Sequence, residues 1–303
     1  MTATTRAALL SAYLRRLGTG NPGAPSRAGL FALQRAHLER VPYENIDIQL
    51  GRPPGIDPVG SARRIAAGRG GYCFHLNGAF ALLLEALGYD VTRHIGGVCG
   101  GDADTGAERT AAQVNGNHLV LTVRVDGTAY FVDTGLGDGP YEPLPLREGT
   151  YRQGGFTYRM APLSDGGGWT FHNEGGPCPV VDFRSAPATM ADFAAEHVRL
   201  STAEDSGFVR TLALLRRHRD GVDALRGRTL SRATGRGGPE GWHTDKRELG
   251  SREELDEVIA HVFGRALDDL TEPDRARLWH RSASPSAAAG PPGPLNVGGN
   301  GQT

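Results

Sequence analysis

The residues best suited to chemistry are a cysteine set behind two glycines and ahead of an apolar run, Arg69-Gly70-Gly71-Tyr72-Cys73-Phe74. Ala79, Phe80, Leu82, Leu83, Leu84, Ala86 and Leu87 continue the run until Gly88 closes it, the pattern of a helix with a stop signal. Cys73 then sits at the helix N-terminus, where unpaired N–H groups and the positive end of the dipole favour thiolate over thiol. Such a nucleophile needs a base, and the base needs an orienting group. Asn117-His118-Leu119-Val120-Leu121-Thr122-Val123 reads as a strand, Asp126-Gly127 as a hairpin turn, and Ala129-Tyr130-Phe131-Val132-Asp133 as the returning strand. His118 and Asp133 lie at the ends away from the turn, so the hairpin brings them together. The expected constellation is Cys73 as nucleophile, His118 as proton carrier and Asp133 as orienting carboxylate. The bland alternative is a buried cysteine, a strand-edge histidine and a loop aspartate. The glycine frame and the hairpin weigh against it.

The elements that must hold these groups follow from periodicity. Thr5–Leu17 and Arg27–Leu38 read as helices separated by the Gly18–Gly23 break, and Pro42–Leu50 as an extended stretch entering a loop. From Val91 the period becomes that of strands: Val91–Val98, Asn117–Val125, Ala129–Val132, and shorter candidates at Phe156–Met160 and Gly168–His172. These suggest a small antiparallel barrel or curled sheet. Ala188–Ser201 reads as a helix, Thr211–Arg217 and Asp220–Leu230 as hairpin strands, and Ser251–Phe263 as a closing helix with a Ser251/Glu254 capping box. Gly100–Gln113 is expected to be a surface loop near the mouth of the site. Beyond His280 the composition falls to Ala, Gly, Pro, Ser and Asn, which predicts a disordered tail without a chemical role.

A chain of 303 residues is long enough for a sizeable core. Its net charge of −1 gives no polycationic footprint for nucleic acid or an anionic membrane. Three cysteines make no disulfide framework and match no zinc spacing, which suits a reducing, cytoplasmic setting. Cys99 and Cys178 lack the glycine frame and read as small apolar residues. No signal peptide, membrane span or metal site is expected, since His94, His172, His197 and His243 have no second ligand at metal spacing.

Arg69 to Phe74 resembles the nucleophile motif of the arylamine N-acetyltransferases. Val41-Pro42-Tyr43-Glu44-Asn45-Ile46 resembles the family's Val-Pro-Phe-Glu-Asn-Leu block, Asn117–Leu121 its histidine strand, and Asp133-Thr134-Gly135-Leu136-Gly137 its Asp-Val-Gly-Phe-Gly motif. Ser206-Gly207-Phe208-Val209 resembles its Ser-Pro-Phe segment. The blocks occur in family order, and the likeness runs to about Leu270.

The resemblance implies an α+β fold with a cysteine-protease-like triad. Its parts would be a helical lobe over 1–90 carrying the nucleophile, a β-barrel lobe over 91–205 carrying His118 and Asp133, an α/β lid over 206–280, and the tail at 281–303. It further implies acetyl-coenzyme A as acyl donor, contacted by Gly135, Leu136, Gly137, Gly139 and Phe208, with the glycine-rich run cradling the pyrophosphate. Arg69 would brace the helix start against Glu44 and Asp47. His75 stands where many members carry Glu or Gln; about 200° around the helix from Cys73, it points away from the thiol. Leu136 stands where the family places a phenylalanine that lines the acceptor pocket, and it offers no flat ring for an aryl group.

The expected function is ping-pong transfer of an acetyl group to an arylamine, hydrazine or hydroxylamine through an acyl-cysteine. Two alternatives stay open. One is an amide synthase releasing or cyclising a carrier-bound polyketide, and the other is a thiol hydrolase.

Overall fold

The helix that begins at Cys73 is apolar on nearly every side, and such a helix must lie inside the molecule. In the computed structural model, which describes residues 3–99, 108–174, 179–235 and 242–283, every residue from Cys73 to Leu84 is buried. It follows α1 (Ala3–Arg16), α2 (Arg27–Arg40), β1 (Tyr43–Glu44), α3 (Ile46–Gln49) and α4 (Pro58–Ala66), and is itself α5 (Cys73–Ala86).

Two expectations change in this region. Pro42–Leu50 is extended only over Tyr43–Glu44 and then turns into α3. The bend is held by Asn45, which donates to the Phe208 and Thr211 carbonyls and accepts the Ala213 N–H. The helix α4 is absent from the sequence reading, although Asp57 caps it and Pro58 occupies its first turn, a helix-start pair.

Eight strands follow: β2 (Asp90–Cys99), β3 (His118–Val125), β4 (Thr128–Val132), β5 (Leu144–Pro145), β6 (Gly149–Gln153), β7 (Phe156–Pro162), β8 (Gly168–Glu174) and β9 (Val180–Pro187). They form one antiparallel sheet in the order β5-β4-β3-β2-β9-β8-β7-β6, curled into a near-closed barrel. Alternation along β3 serves two cores. Val120 joins Phe131, Tyr158, Phe171 and Phe183 in one cluster, while Leu119, Leu121 and Val123 pack in the cluster that contains α5. Asp126 and Gly127 turn β3 into β4 with φ of 50° and 74°, the paired positive values of a type I′ hairpin.

The remaining elements are α6 (Ala194–Thr202), α7 (Gly207–Arg210), β10 (Ala213–Arg217), β11 (Gly221–Arg226), β12 (Thr229–Gly235), β13 (Trp242–Glu248), α8 (Arg252–Glu257) and α9 (Glu272–Ser282). Their sheet runs β1-β10-β11-β12-β13, so the strand before the cysteine helix is stitched to the C-terminal part through Tyr43↔Leu215. Three boundaries differ from expectation. The Ala188–Ser201 helix opens with a 3-10 turn at Met190–Phe193. Asp220–Leu230 is two strands, because Gly227 turns the chain at φ 58°. Ser251 does cap its helix, but Glu254 accepts the Gly250 N–H rather than that of Ser251, α8 passes into a π turn at Val258–Val262, and α9 follows it to end the described chain. The tail expected from 281 begins later, because Arg281 and Ser282 complete α9 and Arg281 donates to Gln49 and Val209. The rest of that tail from 284 onward, residues 100–107 of the expected loop, the Cys99 side chain and Cys178 lie outside the described residues. Among the described residues no helix is long and apolar enough to cross a membrane.

Candidate active site

The start of α5 and the open end of the β3–β4 hairpin meet, and three side chains converge there. Cys73 is the first residue of α5 and only 3 % exposed, with Sγ 3.6 Å from the Asn117 carbonyl oxygen. His118 opens β3, and its Nε2 lies 2.7 Å from Asp133 Oδ2. The Cys73 sulfur also favours the charged His118 ring, and with Nε2 engaged by Asp133 the nitrogen left for the sulfur is Nδ1. The register pairs Leu121 with Val132, so Asp133 falls diagonally across from His118, as the hairpin argument expects.

The ring is a strong proton holder. Burial disfavours its charged form, but the Asp133 carboxylate and then the Cys73 sulfur outweigh that, and its pKa is pushed up to about 10. Asp133 is itself held in place. Its Oδ1 accepts the N–H groups of Gly135 at 2.7 Å and Leu136 at 3.0 Å.

A frame of close contacts fixes the cysteine. Gly70 runs so near the preceding block that a Cβ there would lie 2.0 Å from the Pro42 oxygen, and its N–H goes to the buried Glu44 carboxylate. A Cβ on Gly135 would meet Cys73 Cα at 2.7 Å, so the loop after Asp133 touches the backbone of Cys73 itself. The expected Arg69 brace is corrected. Arg69 pairs with Asp269 at 3.3 Å, whereas Arg64 on α4 binds Asp47 at 2.7 Å and Glu44 at 3.6 Å.

Asn77 braces the site, a role that the sequence reading does not assign it. Its Nδ2 donates to the Leu119 carbonyl at 2.7 Å, while Oδ1 accepts the Thr134 N–H at 2.8 Å and the Thr134 hydroxyl at 2.9 Å. It thereby ties α5 to both strands that carry the triad. The signal was present: a residue four positions after Cys73 on a helix shares its face.

The other expected contacts are placed as follows. The Gly135 and Leu136 N–H groups are committed to Asp133. The Leu136 side chain is 6 % exposed and packs in the barrel cluster with Phe156 and Tyr158. Gly137 has φ 80° and lies against Leu215 of β10, and the Gly139 carbonyl accepts from Arg217 Nε at 3.0 Å. Phe208, on α7, stacks at a tilt 4.8 Å from Tyr72, the residue before Cys73. His75 is 1 % exposed and its ring packs edge-on to Tyr72 at 4.7 Å, away from the sulfur as expected.

A family described as N-acetyltransferase matches residues 28–271 of this chain. The arylamine N-acetyltransferase of Mycolicibacterium smegmatis is 31 % identical over 271 residues, covering 88 % of this chain and 94 % of that protein. The proansamycin X synthase of Amycolatopsis mediterranei (strain S699) is 31 % identical over 159 residues, which is 51 % of this chain and 58 % of that protein. Among solved structures, the Mycobacterium marinum arylamine N-acetyltransferase in complex with CoA matches with a TM-score of 0.78 at 27 % identity, covering 90 % of this chain and 98 % of that one.

Proposed function

The chain belongs to the arylamine N-acetyltransferase family, and from that membership we propose that it moves an acetyl group from acetyl-coenzyme A to an arylamine, hydrazine or hydroxylamine through an acyl-Cys73 intermediate. The observation that carries the mechanism is His118, which links a buried carboxylate to a cysteine at the first position of a buried helix.

The steps balance as follows. His118 holds the proton of Cys73, and the imidazolium faces Asp133. The Cys73 thiolate attacks the thioester carbonyl; the C–S bond to coenzyme A breaks, and the leaving thiolate takes the proton from His118. Neutral His118 then accepts a proton from the incoming amine as its nitrogen attacks the acyl-cysteine. The amide departs and the thiolate–imidazolium pair is restored. Asp133 does not take the proton; it fixes the ring and stabilises its charge.

The position of Phe208 beside Tyr72 supports its role at the donor side. The Gly135–Gly139 run supports close approach more than a pyrophosphate cradle, because two of its N–H groups already serve Asp133. A second reading has its own support: the match to proansamycin X synthase favours an acceptor carried on a larger polyketide substrate. A thiol hydrolase has no comparable observation behind it.

The test is intact-protein mass spectrometry after brief exposure to a panel of acyl-coenzyme A thioesters. A single acyl adduct should form on wild type, map to Cys73, and disappear when an amine is added with release of the amide. No adduct with any thioester, or an adduct that persists in Cys73→Ala, overturns the proposal.

A further inference from the structure

The first turn of α5 is closed by an imidazole. His75 is the third residue of the helix, and its Nδ1 lies 3.4 Å from the Tyr72 backbone nitrogen while Nε2 lies 3.4 Å from the Pro54 carbonyl oxygen. Together the two contacts assign one neutral tautomer, with Nε2–H donating to Pro54 and the Nδ1 lone pair accepting from Tyr72. A contact from the third helical residue back to the N–H of the residue before the helix is ordinarily made by Glu or Gln. His75 makes it without charge, and the first turn of α5 has no acidic residue.

The surroundings keep it neutral. Burial, and then Arg64 of α4 and His197 of α6, push its pKa down to about 3; the Pro54 carbonyl and Asp47 of α3 pull weakly the other way. Tyr72 and His197 close the remaining sides with ring centroids at 4.7 and 5.8 Å. The Tyr72 hydroxyl is engaged by His197, so it does not cap the helix. Gly71 belongs to the same fit, because a Cβ there would come within 2.6 Å of His75 Cβ.

We infer that His75 is a positioning residue that closes the helix cap without negative charge and so leaves the positive end of α5 to the Cys73 sulfur. It acts through the helix start, since it points about 200° around the axis from Cys73. A carboxylate at this place would offset part of the potential that stabilises a thiolate at the first position. The inference rests on Cys73 being the nucleophile.

Full-length wild type, His75→Gln, His75→Glu and His75→Ala are compared by the second-order rate of Cys73 alkylation with iodoacetamide, read by intact mass between pH 5 and 9, and by thermal melting. Gln keeps a neutral acceptor and should follow the wild-type profile within about twofold. Glu keeps the acceptor but adds charge, and at pH 6 should react about two- to thirtyfold more slowly than Gln, the range of a charge at a helix end. Ala removes the acceptor and should melt lower than Gln. Equal profiles for Glu and Gln overturn the inference, and so does a Gln variant as slow as Ala. A wild-type Cys73 that reacts only near the free-thiol range of about 8.5 overturns the nucleophile reading instead.

Discussion

Replacing Asp133 by Asn isolates the electrostatic half of the triad. The amide oxygen can still accept the Gly135 and Leu136 N–H groups, so the loop keeps its two anchors. The other arm, 2.7 Å from His118 Nε2, becomes an N–H donor. It cannot receive a proton from an imidazolium, and it favours the tautomer with the proton on Nδ1, where the Cys73 proton must go. In wild type the ring is lifted from 6.5 to about 10 against the opposing effect of burial. That lift amounts to several kcal/mol in favour of the charged ring. Asp133 is its largest source and Cys73 the second. Losing that source should slow acylation by on the order of a hundredfold or more at neutral pH. The assay is single-turnover acylation of Cys73 by acetyl-coenzyme A, followed by quenched mass spectrometry, with the iodoacetamide pH profile alongside. The acidic limb of that profile should move toward the free thiol while the melting temperature changes by only a few degrees. A variant that acylates within about threefold of wild type would refute the claim that Asp133 sustains the imidazolium.

Cys73→Ala should remove both the acyl adduct and turnover while the chain still melts cooperatively; substantial residual transfer would reject the nucleophile. Gly135→Ala forces a Cβ to 2.7 Å from Cys73 Cα, so it should cost about 1–3 kcal/mol in denaturant unfolding and depress kcat/KM more than tenfold. Two buried histidines set the acid response: His37 and His75 are pushed down to about 3, chiefly by burial, so the unfolded chain binds their protons first. Their stability contribution is whole above about pH 6.5 and falls as pH drops toward 3, by about 2 kcal/mol for each at pH 5, which urea unfolding at pH 7.5 and 5 will measure. His118 has the opposite sign, because its folded pKa is raised to about 10. Its contribution is whole below about pH 6.5 and is lost as pH rises through 10, so wild type should lose more stability over that alkaline window than Asp133→Asn.

The convergence of Cys73, His118 and Asp133 was legible because each carried a local signal. Glycines and an apolar run put Cys73 at a helix start, and Asp126-Gly127 defined a two-residue turn whose register brings His118 to Asp133. These are short-range constraints: helix stop and start chemistry and hairpin geometry depend on neighbours within a few residues. The strand character of Val91–Val98, Asn117–Val125 and Ala129–Val132 followed for the same reason.

What failed to show in the sequence involves partners far apart along the chain. Arg69 and Arg64 are both basic residues near the cysteine, and only the packing of α4 against the Glu44–Asp47 turn assigns Arg64 to Asp47 and leaves Arg69 to Asp269. Leu136 carries no mark of whether it lines a pocket or fills a barrel; the curl of the strands seats it against Phe156 and Tyr158. Asn77 offered a face but no partner until β3 and the residue after Asp133 were brought to it. The sequence by itself determined that Cys73, His118 and Asp133 would meet, and the local turns that present them. Tertiary structure alone decided what braces them, since a buried polar group takes whichever partner the packing brings within about 3 Å.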